Sequence, residues 1–470
     1  MSKKNELQEK LCYENKNMFS KVSDKEKKEI FDFCEGYKEF ITEAKTEREF
    51  CESACRELLK AGFVSLESKK SLKAGDKVYT VNRGKGVIAA VIGKESIENG
   101  VNLVAAHIDA PRLDLKPNPL YEDNNVALLK THYYGGIKKY QWTAIPLAMH
   151  GVATLTDGTQ IKIVIGEDEN DPVLYISDLL PHLANAQMAK KMSEGIAGED
   201  LNIMVGNIGI DDESVKDGVK LNILKILNEK YDICEEDFLS SEIEIVPAYP
   251  ARDIGLDRSL IGGYGQDDRV CSYSALKAIC EINNPERTAV CLLVDKEEIG
   301  SMGTTGMMSR KFENVLAKIC AMTTKNYNDI VLRDALSNSF ALSADVGAAF
   351  DPNYPDVTDK RNCAILGGGI FICKYTGSRG KSGASDAGAE VVAEVRKIFN
   401  ENGVKWQIGE LGKVDAGGGG TVAQFLANLD MDVIDAGTGV ISMHSPYEVT
   451  NKFDVFMTYK AYREFYKNNK

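Results

Sequence analysis

Glu297 and Glu298 stand side by side in LLVDKEEIGSMGTT, Leu292 to Thr305, where an apolar run stops at Asp295 and a glycine-rich turn follows. A solvated acidic loop is the commonest fate of such a pair. Here, however, the pair follows a run apolar enough to be a central strand, and neighbouring carboxylates there are costly without a positive partner. A metal ion is the simplest partner. We therefore expect His107, Asp267, Asp345 and His444 to gather around the pair as a two-metal site.

The chain has five histidines, and two of them, His107 and His444, fall at predicted strand ends. A lone histidine is more often a surface or hydrogen-bonded imidazole than a ligand, so it is the joint pattern with the acids that points to a metal. Imidazoles and carboxylates without clustered cysteines suit an open zinc-type site and not a closed structural one. Asp267 and Asp268 follow Gly262-Gly263-Tyr264-Gly265-Gln266 and precede a helix, a place that capping alone explains equally well. A carboxylate bridging two cations is what such a site still lacks. Asp267 is the natural candidate, with Asp268 supporting it. Adjacent side chains in an extended segment diverge, so one glutamate of the pair can ligate while the other carries the proton of the attacking water. The Gly417 to Gly420 loop lacks the lysine of a phosphate cradle and reads as backbone that approaches a peptide closely.

Such residues need strand ends to hold them. Ser23 to Glu26 and Thr46 to Glu49 read as capping boxes opening two helices, the second ended by Gly62. From Lys77, the short β-branched runs KVYTVNR, GVIAAVIG and VNLVAA lead into His107-Ile108-Asp109-Ala110-Pro111. Residues 112–243 differ, with strand-like VALLKTHYY and a hairpin VATLTDGTQIKIVIG turning at Asp157-Gly158. They read as an inserted, mainly β module. From Glu244 strands and helices alternate again, starting with IEIVPAY, which implies an α/β, mostly parallel sheet flanked by helices with ligands at strand carboxyl ends. The expected organisation is thus a catalytic domain in two parts, 1–111 and 244–470, around an insert at 112–243.

Composition narrows the class further. At 470 residues with 43% hydrophobic and 27% charged residues, the chain has the make-up of a large globular protein, and no stretch has the length of a membrane span. The formal charge of −13 argues against nucleic-acid or anionic-membrane partners. Eleven scattered cysteines without CxxC, and a polar N-terminus without an apolar signal region, lead us to expect a cytoplasmic protein.

The motifs AAHIDAPRLDLKP, YGGIKKYQW, PHLA at Pro181 to Ala184, GQDDR, VDKEEIGSMG, LSADVGAAFDPNYPD, DAGGGGT and SMHS run in order along the chain. In this it resembles the M18 metalloaminopeptidases, the aspartyl aminopeptidase family among the co-catalytic zinc exopeptidases. The resemblance implies that His107, Asp345 and bridging Asp267 hold one zinc, and Glu298, His444 and the same Asp267 the other. It assigns Glu297 as general base and Asp109 to orienting His107. Cobalt or manganese is compatible with the same donors. By resemblance, an activated water attacks the carbonyl of a peptide's N-terminal residue, and the insert serves dimerisation within a dodecamer. There are departures. Ala110 stands where the family usually has serine, and Ala186 where some members carry a histidine reaching a neighbouring site, although His182 remains. Arg379 and Lys381 lie near the place of the basic residue that acidic-substrate members use for N-terminal Asp or Glu. Two other readings stay open: a metal-dependent deacylase or carboxypeptidase on the same scaffold, and a non-catalytic self-assembling shell. The insert motifs count against the first, and Glu297 beside five ligands counts against the second.

Overall fold

A computed structural model describes residues 6–468 of the chain; the first five residues of the polar N-terminus lie outside the described residues. Ser23 caps helix Asp24–Glu43 by accepting from the Glu26 amide, and Thr46 and Glu49 form a reciprocal capping box on helix Glu47–Lys60. Ile30, Cys34, Tyr37 and Ile41 repeat at helical spacing and are buried. Gly62, with φ +86°, ends the second helix in the left-handed region that a side chain disfavours.

These helices pack on a nine-stranded sheet centred on Val101–His107, every residue of which is buried. Side chains alternate across it. Leu103 and Ala105 join the core beneath helix Lys311–Thr323, while Val104 and Ala106 join the core beneath helices Gln266–Cys280 and Lys452–Tyr466. Thr288–Val294 and Phe340–Ser343 flank the central strand in parallel, and Asp432–Gly437 continues the parallel run. Outside this run the sheet turns antiparallel, at Val87–Val91 against Thr288–Val294 and at Ile370–Cys373 against Asp432–Gly437. The outermost pairs, Val64–Ser65 with Lys77–Val81 and Ile370–Cys373 with Trp406–Ile408, are parallel again, so the sheet is mixed with parallel pairing in the majority, as expected. Lys77–Val81 and Val87–Val91 are joined by a tight turn through Arg83 and Gly84, and a loop that short can only reverse direction.

A second sheet of six antiparallel strands is built from Arg112 to Pro247 around its own core, which includes Leu113, Trp142, Ile203 and Phe238. The hairpin at Asp157-Gly158 forms between Leu147–Thr154 and Gln160–Ile165. One expectation is corrected here. IEIVPAY, read as the first strand after the insert, lies in Ser241–Pro247 and pairs residue for residue with Leu147–Thr154, so a boundary after Ile243 cuts a strand. An apolar run fits either sheet by pattern, and the partner strand decides. A smaller sheet holding Leu260–Gly263 and Glu448–Asn451, and the long final helix Lys452–Tyr466, were not foreseen. No helix among the described residues is long and apolar enough to cross a membrane.

The two sheets are clasped by buried charge. His150 of the second sheet lies 2.9 Å from Glu49 and 2.9 Å from Glu167, while Lys45 reaches Glu167 at 2.5 Å and the Pro247 carbonyl at 2.8 Å. Burial opposes protonation of His150, but Glu167 and Glu49 outweigh it and raise its pKa above the ordinary value. A raised histidine stabilises the fold fully below the unfolded value of about 6.5 and loses that contribution as pH rises through the folded value. Melting curves from pH 6 to 9 are therefore expected to show wild-type stability falling more steeply than that of His150→Gln. Parallel profiles would show that the clasp is not linked to pH.

Candidate metal centre

Strand register assembles the site. Val294 lies opposite His107, and Ser343 lies opposite Ala105, so Glu297, Glu298 and Asp345 leave their strands beside His107. Asp267 comes from the first turn of helix Gln266–Cys280, where the Asp267–Asp268 peptide is cis. His444 comes from the loop between Gly439–Ile441 and Glu448–Asn451. Close approach makes glycine necessary at Gly437, where a side-chain carbon would collide with the Asp345 carbonyl.

The five expected ligands lie close together with Asp267 between the two histidines, and His107, Asp267 and Glu298 can offer donors to one cation. His107 Nε2 is 3.2 Å from Asp267 Oδ1 and 3.8 Å from Asp345 Oδ1. His444 Nε2 is 3.1 Å from Asp267 Oδ2 and 3.5 Å from Glu298 Oε2. Two donors on a tetrahedral zinc with bonds of about 2.0 to 2.1 Å sit about 3.3 Å apart, so these separations fit. Asp267 Oδ1 and Glu298 Oε1 are also buried without a hydrogen-bond partner, which a cation would supply. Asp268, expected only in support, offers a second grouping with His107 and Asp345. One of its oxygens accepts from the His107 amide at 3.3 Å, and the other has no hydrogen-bond partner.

The remaining ring nitrogens are held in place. His107 Nδ1 faces the Asp109 carbonyl at 3.1 Å and its carboxylate at 3.3 Å, and His444 Nδ1 faces the Gly136 carbonyl at 2.9 Å. Such acceptors fix both rings with Nε2 toward the shared aspartate, and a cation bound between them would favour the tautomer with its proton on Nδ1. Glu448, which nothing in its local sequence marked, accepts from the His444 amide at 2.6 Å and the Asp267 amide at 3.0 Å. The glutamate pair is not extended as expected but lies in one 3₁₀ turn, Glu297–Ile299, after left-handed Lys296. A 3₁₀ turn still separates adjacent side chains by about a third of a turn, so the divergence survives by another geometry.

Crowded acids dominate the electrostatics. Burial, opposed by His107 but reinforced by Asp345 and Asp267, pushes Glu297 up to about 8. Burial and Asp267 raise Glu298 well above the carboxylate range, and burial raises Asp345. Burial opposes charge on His444 as well, yet Asp267 and Glu298 lift it to about 10. Burial acts against ionised Asp267 too, but His107 and His444 outweigh it and hold its carboxyl low.

These groups open on a cavity of about 530 Å³ whose walls include Val346, Phe371, Leu411, Phe425, Met443 and Gly418 to Gly420. Gly418–Gly419 pairs with Gly377–Ser378, and a side chain at Gly418 would strike that partner strand, so glycine is needed at Gly418 for close pairing beside the cavity. Arg379 and Lys381 do not line it; both are exposed, and Lys381 pairs with Asp386 at 3.1 Å. His182 is exposed in the turn Pro181–Leu183, also outside the cavity wall.

Stripping divalent metal with a chelator is expected to lower the melting temperature, and adding zinc to restore it. A cation bound only by the folded state adds about 2.7 kcal/mol at a free concentration of 100 Kd. Calorimetry with and without zinc checks this, and an unchanged melting temperature would count against a metal centre.

The profile of a family described as aminopeptidase I zinc metalloprotease (M18) matches residues 40–466. A protein of Clostridium acetobutylicum named "Probable M18 family aminopeptidase 1" is 53% identical over 462 residues, covering 97% of this chain and 99% of its own length. One of the same name from Thermotoga maritima is 51% identical over 439 residues, covering 93% and 96%. The crystal structure of the Thermotoga maritima M18 aminopeptidase superposes with a TM-score of 0.93 at 49% identity, covering 97% of this chain and 100% of that one. The Saccharomyces cerevisiae mApe1 dodecamer, 23% identical with a TM-score of 0.76, shares the fold, covering 93% of this chain and 97% of its own. Matched over most of its length in sequence and in structure, this chain belongs to the M18 family of zinc metalloproteases, aminopeptidases that hydrolyse peptide bonds.

Proposed function

We propose that the chain removes N-terminal residues from peptides at a two-zinc site held by His107, Asp345, Glu298, His444 and bridging Asp267. The observation that carries this reading is the Asp267 carboxylate, with one oxygen toward each imidazole, 3.2 Å from His107 and 3.1 Å from His444. Cobalt or manganese would fit the same nitrogen and oxygen donors. When bound, the two ions supply a Lewis-acid centre that lowers the pKa of water and polarises the scissile carbonyl. Glu297 lines the cavity and takes the proton of the attacking water at its carboxylate, then delivers it to the leaving amine. Asp109 orients His107 through Nδ1, and Asp268 and Glu448 hold the backbone beneath the ligands.

The side chain of the departing residue is proposed to lie against Val346, Phe371, Leu411 and Met443, which favours uncharged, apolar residues. An N-terminal Asp or Glu would need a basic partner, and no lysine or arginine lines the cavity among the described residues. The strands between Arg112 and Pro247 are proposed to form an inserted domain that serves dimerisation, within the catalytic domain made by the rest of the chain. Support comes from exposed Leu179, Leu180, Leu183, Met188 and Met192 in that region, an apolar surface that calls for cover. A dodecamer like that of the yeast relative is the assembly we propose. Eleven unpaired cysteines support a reducing compartment such as the cytoplasm.

Two measurements test the chemistry. Glu297→Gln is expected to keep its zinc, measured by elemental analysis, while kcat falls by about 10² to 10⁴-fold, the usual cost of losing a general base. Wild-type turnover in that variant would refute the role. On a panel of aminoacyl-nitroanilides, leucyl and methionyl substrates are expected to turn over faster than aspartyl and glutamyl ones, and N-blocked controls not at all. Faster aspartyl cleavage would restore the acidic preference, and equal cleavage of blocked substrates would point to the deacylase reading.

A further inference from the structure

Asp109 is fully buried, and its carboxylate does more than face His107. Its Oδ1 accepts from the Glu297 amide at 3.1 Å, and its Oδ2 accepts from the Glu298 amide at 3.2 Å. Both glutamates therefore hang from one aspartate. A carboxylate can serve two adjacent amides, one per oxygen, only in a single rotational setting, so whatever fixes that setting also fixes the glutamate turn. Oδ2 has one further partner, the Tyr134 hydroxyl, which donates at 2.8 Å.

Tyr134 ends strand Val126–Tyr134 of the second sheet, two residues before Gly136, whose carbonyl faces His444. Its ring is itself anchored. The Arg112 guanidinium stacks on it at 3.8 Å, Arg112 lies opposite Tyr134 in the strand register, and that guanidinium is held by Asp114 at 2.8 Å and Glu244 at 3.2 Å. The next residue, Gly135, has φ +73° and approaches Glu298 so closely that a side-chain carbon would sit 3.3 Å from it.

We propose that Tyr134 is a positioning residue for the metal centre: its hydroxyl fixes Asp109 in the setting that aligns the Glu297–Glu298 turn and the His107 ring together. The inserted sheet thereby sets the metal geometry as well as offering a surface for association. This inference rests on the two-metal reading above.

The test is a double-mutant cycle on zinc affinity, measured by competition with a chromogenic chelator, using Tyr134→Phe and Asp109→Asn in the full-length protein. Tyr134→Phe keeps the ring on Arg112 and removes only the hydroxyl. It is expected to weaken zinc binding about 10-fold or more, the usual cost of losing a group that orients a ligand. In the Asp109→Asn background the same change is expected to weaken binding less than about twofold, because its route of action is already gone; a merely structural role would give equal losses in both backgrounds. Wild-type affinity in Tyr134→Phe, equal losses in the two backgrounds, or failure of Tyr134→Phe to fold would each overturn the inference alone. Absence of zinc binding by the wild type would overturn the two-metal reading with it.

Discussion

Mutual repulsion among buried carboxylates is the constraint on which the rest of this structure depends. Asp267, Asp345 and Glu298 all come within 4 Å of an imidazole nitrogen, with Asp268 beside His107 and Glu297 facing the same cavity. Only two histidines are at hand to offset this charge, and burial strengthens each repulsion. The result is a set of acids whose affinity for protons is raised, apart from Asp267, which both imidazoles serve. A divalent cation held among these carboxylates would offset their repulsion and displace their protons.

Holding such groups together requires backbone that does not yield. Parallel register places three strand ends side by side, and the second contribution comes from amides and carbonyls. Glu448 grips the backbone of His444 and Asp267, Asp109 grips that of Glu297 and Glu298, and Gly136 fixes the His444 ring. Apart from the local His444–Glu448 bond, these contacts join segments 181 to 308 residues apart, so both sheets and the loop that carries His444 meet at the site. The charged clasp of Lys45, Glu49, His150 and Glu167 ties the same two sheets together elsewhere.

Much of this was legible in the chain itself. His107, Asp267, Glu298, Asp345 and His444 could be picked out because each stands where an apolar, β-branched run or a helix start meets small residues, a pattern local enough to read. The two capping boxes and the Asp157-Gly158 hairpin were legible for the same reason. The pairing of strand Ser241–Pro247, the grip of Glu448 on the Asp267 amide and the role of Tyr134 are not legible locally, because each depends on a partner 25 or more residues away. The basic residues near position 380 show the converse. Arg379 and Lys381 sit at a suggestive place in the chain, but their side chains turn to solvent and to Asp386.

What the sequence determined by itself is therefore the chemical inventory and the elements that carry it: two imidazoles at strand ends, aspartates at a helix start, a glutamate pair, and the alternation of strands with helices. Residue type and hydrophobic period are properties of short stretches, and they survive without knowledge of the fold. Only the tertiary structure decided which oxygen of Asp267 faces which histidine, that the sheet is mixed, that a tyrosine from the second sheet holds Asp109, and that the cavity sets these acids opposite apolar side chains such as Phe371 and Met443, with no lysine or arginine in its wall among the described residues. Those outcomes are set by strand pairing and by packing between segments far apart in the chain, and a one-dimensional pattern does not specify its partner.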